Sequence, residues 1–437
     1  MSRGRATLDR GFSALAIRNY RIYWFGQGIS RTGTWMQQVS LPWLVLALGG
    51  SPLQLGIVAA LEFAPATVLA PFGGVLADRV DKRRALMITQ VAAAVQVVAL
   101  VILLAAGLLS IPLVMLLSLL LGIVNAADMP LRQSVAAELV PRHLLANAIA
   151  LNSMAFNTAR VIGPAVAGVT IAIGAAAFGS NLAGIGFNFG INALSYTAAL
   201  VSLLLIDADA FRQPPPPEVR PRVLTSLGEG IAYAVRTPLV LWSLVLLAGV
   251  ATFGLNFRVL LPLFAQDELG LDAGGYGALY AAMGLGALCG AVFLAFLHER
   301  RVLPFMLIGG GAFVGAELLL AGSSGVLAAV PLVFAAGLAS MLMINTVNAT
   351  VQSNVSDELR GRVMALYVTV FAGSTPLGGL FAGFIAEQAD ARAGFAIGAL
   401  LSLAVVVLVA WRLRAAARLG ALGTTRLGTP EVSGDAP

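Results

Sequence analysis

Gly74-Val-Leu-Ala-Asp-Arg-Val-Asp-Lys-Arg-Arg84 is the stretch that decides how this chain folds. Six charges fall in the seven residues Asp78 to Arg84, in a chain that is only 11% charged. Apolar runs flank it on both sides, each long enough to cross about 30 Å of hydrocarbon. A dense basic turn between two such runs marks a loop held at one face of a membrane.

The rest of the composition agrees. Hydrophobic residues make up 59% of the chain and the mean hydropathy is +0.89. Ordinary soluble domains are about half apolar and about a quarter charged. The 48 glycines suit membrane helices that pack closely. The net charge of +6 sits in short loops on alternate sides, so it reads as topology and not as a nucleic-acid surface. One cysteine, Cys289, rules out an intrachain disulfide. With two histidines, a His/Cys metal site is not expected. The N-terminus shows no small-residue cleavage site after a short apolar core, so no removable leader is expected.

Twelve spans are expected, near 20–48, 54–77, 85–108, 111–137, 146–174, 184–206, 239–266, 273–297, 303–321, 326–353, 362–386 and 392–412. Turns 78–84, 138–145, 298–302 and 354–361 carry arginine. Turns 49–53, 109–110, 175–183 and 322–325 carry no charge. This bias places both termini and the long middle loop in the cytoplasm. Arg392, just after turn 387–391, breaks the pattern. The expected organisation is a six-span half over 1–206, a loop over 207–238, a second half over 239–413 and a disordered tail over 414–437. In the loop, Pro214 to Pro217 form a stiff spacer. Leu224 to Arg236 reads either as an amphipathic helix on the membrane surface or as a plain tether.

The halves echo each other. Pro42 and Pro262 lie 220 apart; Gly56 and Gly277, and Asp78-Arg79 and Glu299-Arg300, lie 221 apart. Gly163-Pro164…Gly168 and Thr375-Pro376…Gly379…Gly383 lie about 212 apart. Duplicated halves place a substrate site between them, near the midplane.

The Gly74 to Arg84 loop, Gly74, Asp78, Arg79, Lys82, Arg83 and Arg84, resembles the signature loop of the major facilitator superfamily, and it falls between spans two and three, where that superfamily carries it. The resemblance implies an all-α membrane protein of twelve transmembrane helices in two pseudo-symmetric bundles. It also implies that this loop latches the cytoplasmic side; the alternative is a generic basic turn. Asp81 stands where the superfamily usually has glycine. Gly163-Pro164 with Gly168 resembles the antiporter motif of the superfamily's exporters, although Ala167 replaces one expected glycine. Helix bends are expected at Pro164 and Pro376. Gly26-Gln27…Trp35-Met36-Gln37, Ser51-Pro52 and Asn147 to Pro164 resemble the branch containing enterobactin exporters and related bacterial drug and secondary-metabolite exporters. That branch implies export of small amphipathic compounds, proton-coupled, by a monomer in the bacterial cytoplasmic membrane. Import or lipid movement on the same fold, or a receptor, are the rival readings. No Gly-Lys-Ser/Thr phosphate loop is present, because the only lysine is Lys82, and no enzyme or cofactor is expected.

Intramembrane charges are costly and mark function or pairing. Asp128 and Arg132 share one helix face and read either as a proton-coupling group or as a fixed ion pair. Arg160, near a midplane where an unpaired arginine costs about 2.5–3.5 kcal/mol, reads as a clamp or as a cavity residue. Glu62 and Glu317 are further carboxylates, Glu317 close enough to a span end to be interfacial. Arg31, Trp35, Gln37, Asn157, Arg160, Asn256 and Arg258 are the candidates for the substrate cavity, with packing as the alternative for Trp35 and Gln37.

Overall fold

The structure, a computed structural model, describes residues 11–77, 80–207, 223–296 and 303–418. Asp78, Arg79, the Pro214 to Pro217 spacer, Glu299-Arg300 and the 419–437 tail lie outside the described residues.

The first six long helices are α1 (Arg18–Ala47), α2 (Pro52–Ala77), α3 (Lys82–Ala105), α4 (Ile111–Glu138), α5 (Leu145–Phe178) and α6 (Asn181–Leu205). A shorter helix, α7 (Val223–Arg236), follows. The second set is α8 (Pro238–Phe253), α9 (Phe257–Leu263), α10 (Ala273–Ala295), α11 (Leu303–Ala321), α12 (Val326–Ser353), α13 (Asp357–Gln388) and α14 (Ala391–Arg418). No strand occurs among the described residues. Side chains cap several starts: Asp81 accepts the Arg84 amide, Ser180 the Ala183 amide and Asp272 the Gly275 amide. Asp81 thus has a local role that glycine could not fill. Gly107 and Gly179 end α3 and α5 in the left-handed conformation (φ 68° and 81°) that an L side chain resists.

Eleven helices among the described residues are long and apolar enough to cross a membrane. The expectation of twelve rests on α1, which has 30 residues but is not among them. Its polar side chains lower its hydropathy, and Gln27, Ser30, Gln37 and Ser40 among them are buried inside the bundle. Large apolar side chains remain exposed along the bundle, among them Ile88, Ile102, Leu194 and Trp411. Such a surface is a liability in water and the stable one in hydrocarbon.

Helices start and end alternately at two ends of the bundle. The turn at 80–84 defines the basic end; turns 48–51, 106–110 and 322–325 lie at the far end. Span seven departs from a single rod. It is broken at Gly254–Asn256 and ends in a π-helical turn over Phe264–Glu268. The Asn256 amide donates to the Thr252 and Phe253 carbonyls (2.8 and 3.1 Å), which the break would leave without partners. In contrast, α5 and α13 run unbroken through Pro164 and Pro376. The last helix continues to Arg418, past the boundary expected at 413.

Helix α7 is docked, not merely tethered. Tyr233 donates to the Asn354 carbonyl (2.7 Å), Glu229 pairs with Arg362, and Gly230 lies against the Arg362 backbone. The exception in the charge pattern is also resolved. Arg392 pairs with Glu268 and donates to the Ala321 and Ser323 carbonyls (2.8 and 2.7 Å), so this far-end turn arginine is neutralised and spent as a helix cap.

Candidate functional site

The two helix sets meet along two seams, and the repeated glycines build both. In the first seam, Gly56 of α2 sits on Gly379 and Gly383 of α13. In the second, Gly277 of α10 sits on Pro164 and Gly168 of α5; a methyl at Gly277 would come within 2.8 Å of the Pro164 carbonyl oxygen. The Gly-Pro motif therefore presents two faces, with Gly163 against Trp35 and Thr32 of α1 and Gly168 against Gly274 of α10. Trp43 of α1 stacks on Tyr276 of α10 at 5.6 Å. The Leu53 amide at the start of α2 donates to Glu387 of α13 (3.1 Å). Glu62 of α2 accepts from Arg258 of α9 (2.9 Å), and the Arg258 guanidinium lies 4.8 Å from the Phe63 ring. These contacts close the far end.

Toward the basic end lies a cavity of about 410 Å³. Three helical stripes wall it: Arg31, Thr34, Trp35 and Gln38 on α1; Val124, Asn125, Asp128, Met129, Arg132 and Gln133 on α4; Asn152, Ser153, Phe156 and Asn157 on α5. Gln90, Ala93 and Tyr196 complete the lining. Trp35 and Phe156 meet edge to face at 5.7 Å. Arg31 donates to the Asn152 carbonyl (3.2 Å) and has no carboxylate within ion-pair reach among the described residues. Asp128 is saturated: it accepts from Thr89 (2.6 Å) and Gln90 (2.7 Å) and pairs with Arg132, which also donates to Gln27.

Of the expected cavity residues, Arg31, Trp35 and Asn157 line this space together with Asp128 and Arg132. Gln37 does not. It is buried within the first helix set, donating to Gln96 (3.1 Å) and accepting from Asn192 (2.6 Å). At 3.6 residues per turn it lies roughly 110° from the centre of the α1 stripe, a signal that helical periodicity already carried. Asn256 caps the break in span seven, and Arg258 serves the far-end seam. Arg160 continues the α5 stripe toward the far end, where a methyl at Gly284 of α10 would lie 3.1 Å from its carbonyl oxygen. Glu317 is fully buried, and neither carboxylate oxygen has a hydrogen-bond partner. Gln90 and Asn125 also line the cavity without a sequence signal of their own, although Asn125 stands one turn from Asp128.

At the basic end, Lys82 pairs with Glu138 of α4, and Arg83 donates to the Leu203 and Leu204 carbonyls of α6 (2.8 and 3.0 Å). Arg84 is exposed and pairs with Asp81 (3.3 Å). Gly74 falls within α2.

Two packed helix sets, a cavity between helices at one end and a seam closing the other are the architecture of a membrane transporter. The chain belongs to the transmembrane secretion effector family of the major facilitator fold, whose pattern it matches over residues 10–435. It is 28% identical over 403 residues to the enterobactin exporter EntS of Escherichia coli O1:K1 / APEC, covering 90% of this chain and 93% of that one. It is 34% identical over 143 residues to the staphyloferrin A transporter of Staphylococcus aureus strain NCTC 8325, a match covering 32% of this chain and 36% of that one. Among solved structures it shares its fold with the nucleoside transporter NupG (TM-score 0.72, 13% identity, 91% and 99% of the two chains). A bacterial homologue of the lysosomal transporter Spinster, in an inward-facing and occupied conformation, is also similar (TM-score 0.67, 16% identity, 94% and 97%).

Proposed function

We propose that this protein exports small amphipathic compounds, siderophores or other secondary metabolites and drugs, across the bacterial cytoplasmic membrane by alternating access, driven by the proton gradient. The observation that carries the reading is the cavity itself. It combines an aromatic pair, amides and one arginine without a carboxylate partner, and it lies on the basic-end side of a closed far-end seam. With the basic end cytoplasmic by the positive-inside rule, both termini are cytoplasmic and the cavity faces the side from which an exporter loads. The relatives' names, an enterobactin exporter and a staphyloferrin A transporter, support siderophore-like cargo. Arg31 suits an acidic group on that cargo, and Trp35 with Phe156 suits a planar one. Arg31, Trp35 and Asn157 are assigned to substrate contact, the Lys82 to Arg84 turn to basic-end closure, and the functional unit is a monomer.

The test is accumulation of a panel of fluorescent drugs and siderophores in a pump-deficient bacterial host, with and without a protonophore. Lower accumulation that the protonophore reverses is the expected result. Raised accumulation on expression would mean import. Lowered accumulation that ignores the protonophore would remove the proton as the driving ion.

A further inference from the structure

Glu317 is the one carboxylate among the described residues that is buried with both oxygens lacking a partner. Its surroundings are built around the break in span seven. A methyl placed on Gly254 would lie 2.9 Å from the Ser402 hydroxyl oxygen, 3.1 Å from a Glu317 carboxylate oxygen and 2.6 Å from the Phe313 ring. The two polar groups therefore converge on the Gly254 backbone from α11 and α14. The Ser402 hydroxyl is likewise buried without a partner. The rest of the wall is apolar: Phe257 packs on Phe313 and Phe395 at 6.1 and 5.1 Å.

Among the described residues, no charged side chain pairs with it. Helices α8 and α12 contain no ionisable acid or base, and Glu317 is the only one in α11. On α14, Arg392 is engaged with Glu268 and two carbonyls, and the remaining arginines, from Arg412 on, lie at the basic end. On α9, Arg258 pairs with Glu62. A carboxylate charge in such a place is expensive, so these surroundings favour the neutral acid. Asp128 is the opposite case, since its charge is met by Arg132, Thr89 and Gln90.

We propose that the Glu317–Ser402 pocket is a proton-binding site, separate from the substrate cavity, whose occupancy favours the conformation with the far end closed. Binding adds a proton from water to a carboxylate oxygen and gives the neutral acid; no other bond changes. The link to the seam is short. Glu317 and Ser402 both lie against Gly254, and four residues on, across the break, Arg258 holds Glu62 of the other half. Loss of the proton leaves a bare charge that only a hydrated, opened pocket can accommodate, and opening it moves the element that carries Arg258. The proposal rests on the gradient-driven export reading for its purpose, but not for its test.

The test uses the full-length protein in liposomes, without substrate. Spin labels go on Arg142→Cys and Glu358→Cys, exposed sites on opposite halves at the basic end, in a Cys289→Ser background. In the otherwise wild-type chain, the distance between labels is expected to shorten as pH rises, as the basic end closes. Glu317→Gln, neutral at every pH, is expected to keep the low-pH distance throughout. Infrared spectra should show a protonated carboxyl stretch that Glu317→Gln removes, Asp128→Asn retains and Ser402→Ala shifts. Glu317→Gln that tracks the wild-type distance with pH, or leaves the carboxyl band in place, overturns the proposal. A distance that follows sodium and ignores pH overturns it in favour of a metal cation. Efflux that ignores a protonophore, with the band and the pH response intact, would remove the export coupling and leave the site. Protonophore-sensitive efflux that is equal in wild type and Glu317→Gln would remove the site and leave the coupling.

Discussion

At the residue scale, the protein separates charges that are satisfied from charges that are not. Asp128 and Arg132 are two faces of one buried pair, and removing one partner of such a pair typically costs about 3–5 kcal/mol. Asp128→Asn is expected to lower efflux and the melting temperature while membrane insertion persists. Adding Arg132→Gln should return part of the lost stability, because no buried charge is then unpaired. A melting curve in detergent beside an efflux assay checks this, and a double variant less stable than Asp128→Asn would show that the pair is not the cause. Arg31 is different: among the described residues its guanidinium bonds to a carbonyl and pairs with no carboxylate. If it binds an acidic group, a charge-assisted bond of about 1.5–3 kcal/mol is lost in Arg31→Ala. Transport of acidic compounds should then weaken about 10–100-fold in apparent affinity, with neutral compounds little changed. Equal loss for both classes would argue that Arg31 only shapes the wall.

At the element scale, the broken span seven is the piece that a uniform helix could not replace. Asn256 caps the break from within the same span. Asn256→Ala leaves the Thr252 and Phe253 carbonyls without their donor, and each buried unsatisfied group costs about 1–3 kcal/mol. The expected result is a lower melting temperature with the cavity residues untouched. A melting temperature unchanged from wild type would mean that the break is held by packing alone. Helix α5 is the complementary case, since Pro164 sits within an uninterrupted helix and its flanking glycines do the work of close approach.

On the scale of the whole molecule, two glycine seams, the Trp43–Tyr276 stack, the Leu53–Glu387 hydrogen bond and the Glu62–Arg258 pair hold the halves together at the far end. Gly277→Val should force α10 away from α5, because even a methyl comes within 2.8 Å of the Pro164 carbonyl oxygen. Spin labels across the far end should report a longer distance and transport should fall. An unchanged distance would show that the seam yields locally. The Glu62–Arg258 pair joins the halves directly, and two of the Arg258 nitrogens are buried without partners, so the pair is held less completely than Asp128–Arg132. Glu62→Gln is expected to shift the population toward the far-end-open state, read as faster labelling of a cysteine at the seam. Exchanging the two residues, Glu62→Arg with Arg258→Glu, should restore slow labelling.

Much of this molecule was legible in the residues themselves. Hydropathy fixed the membrane class, because burying about 20 apolar residues in lipid needs no partner to be favourable. The basic turns marked one end, and the Gly56/Gly277 and Gly163/Thr375 spacings marked what became the two seams. Helical periodicity placed Asp128 with Arg132 on a common face. Tertiary structure alone decided which intramembrane polar groups meet. Period fixes an angle around one helix, whereas a partner depends on the rotation and depth of a second helix, far away in the chain. So Gln37 turned to Asn192, Arg258 reached Glu62 across 196 positions, and Asn256 folded back on its own carbonyls. Glu317, four residues from the end of its helix, was sealed in apolar side chains with nothing to bond.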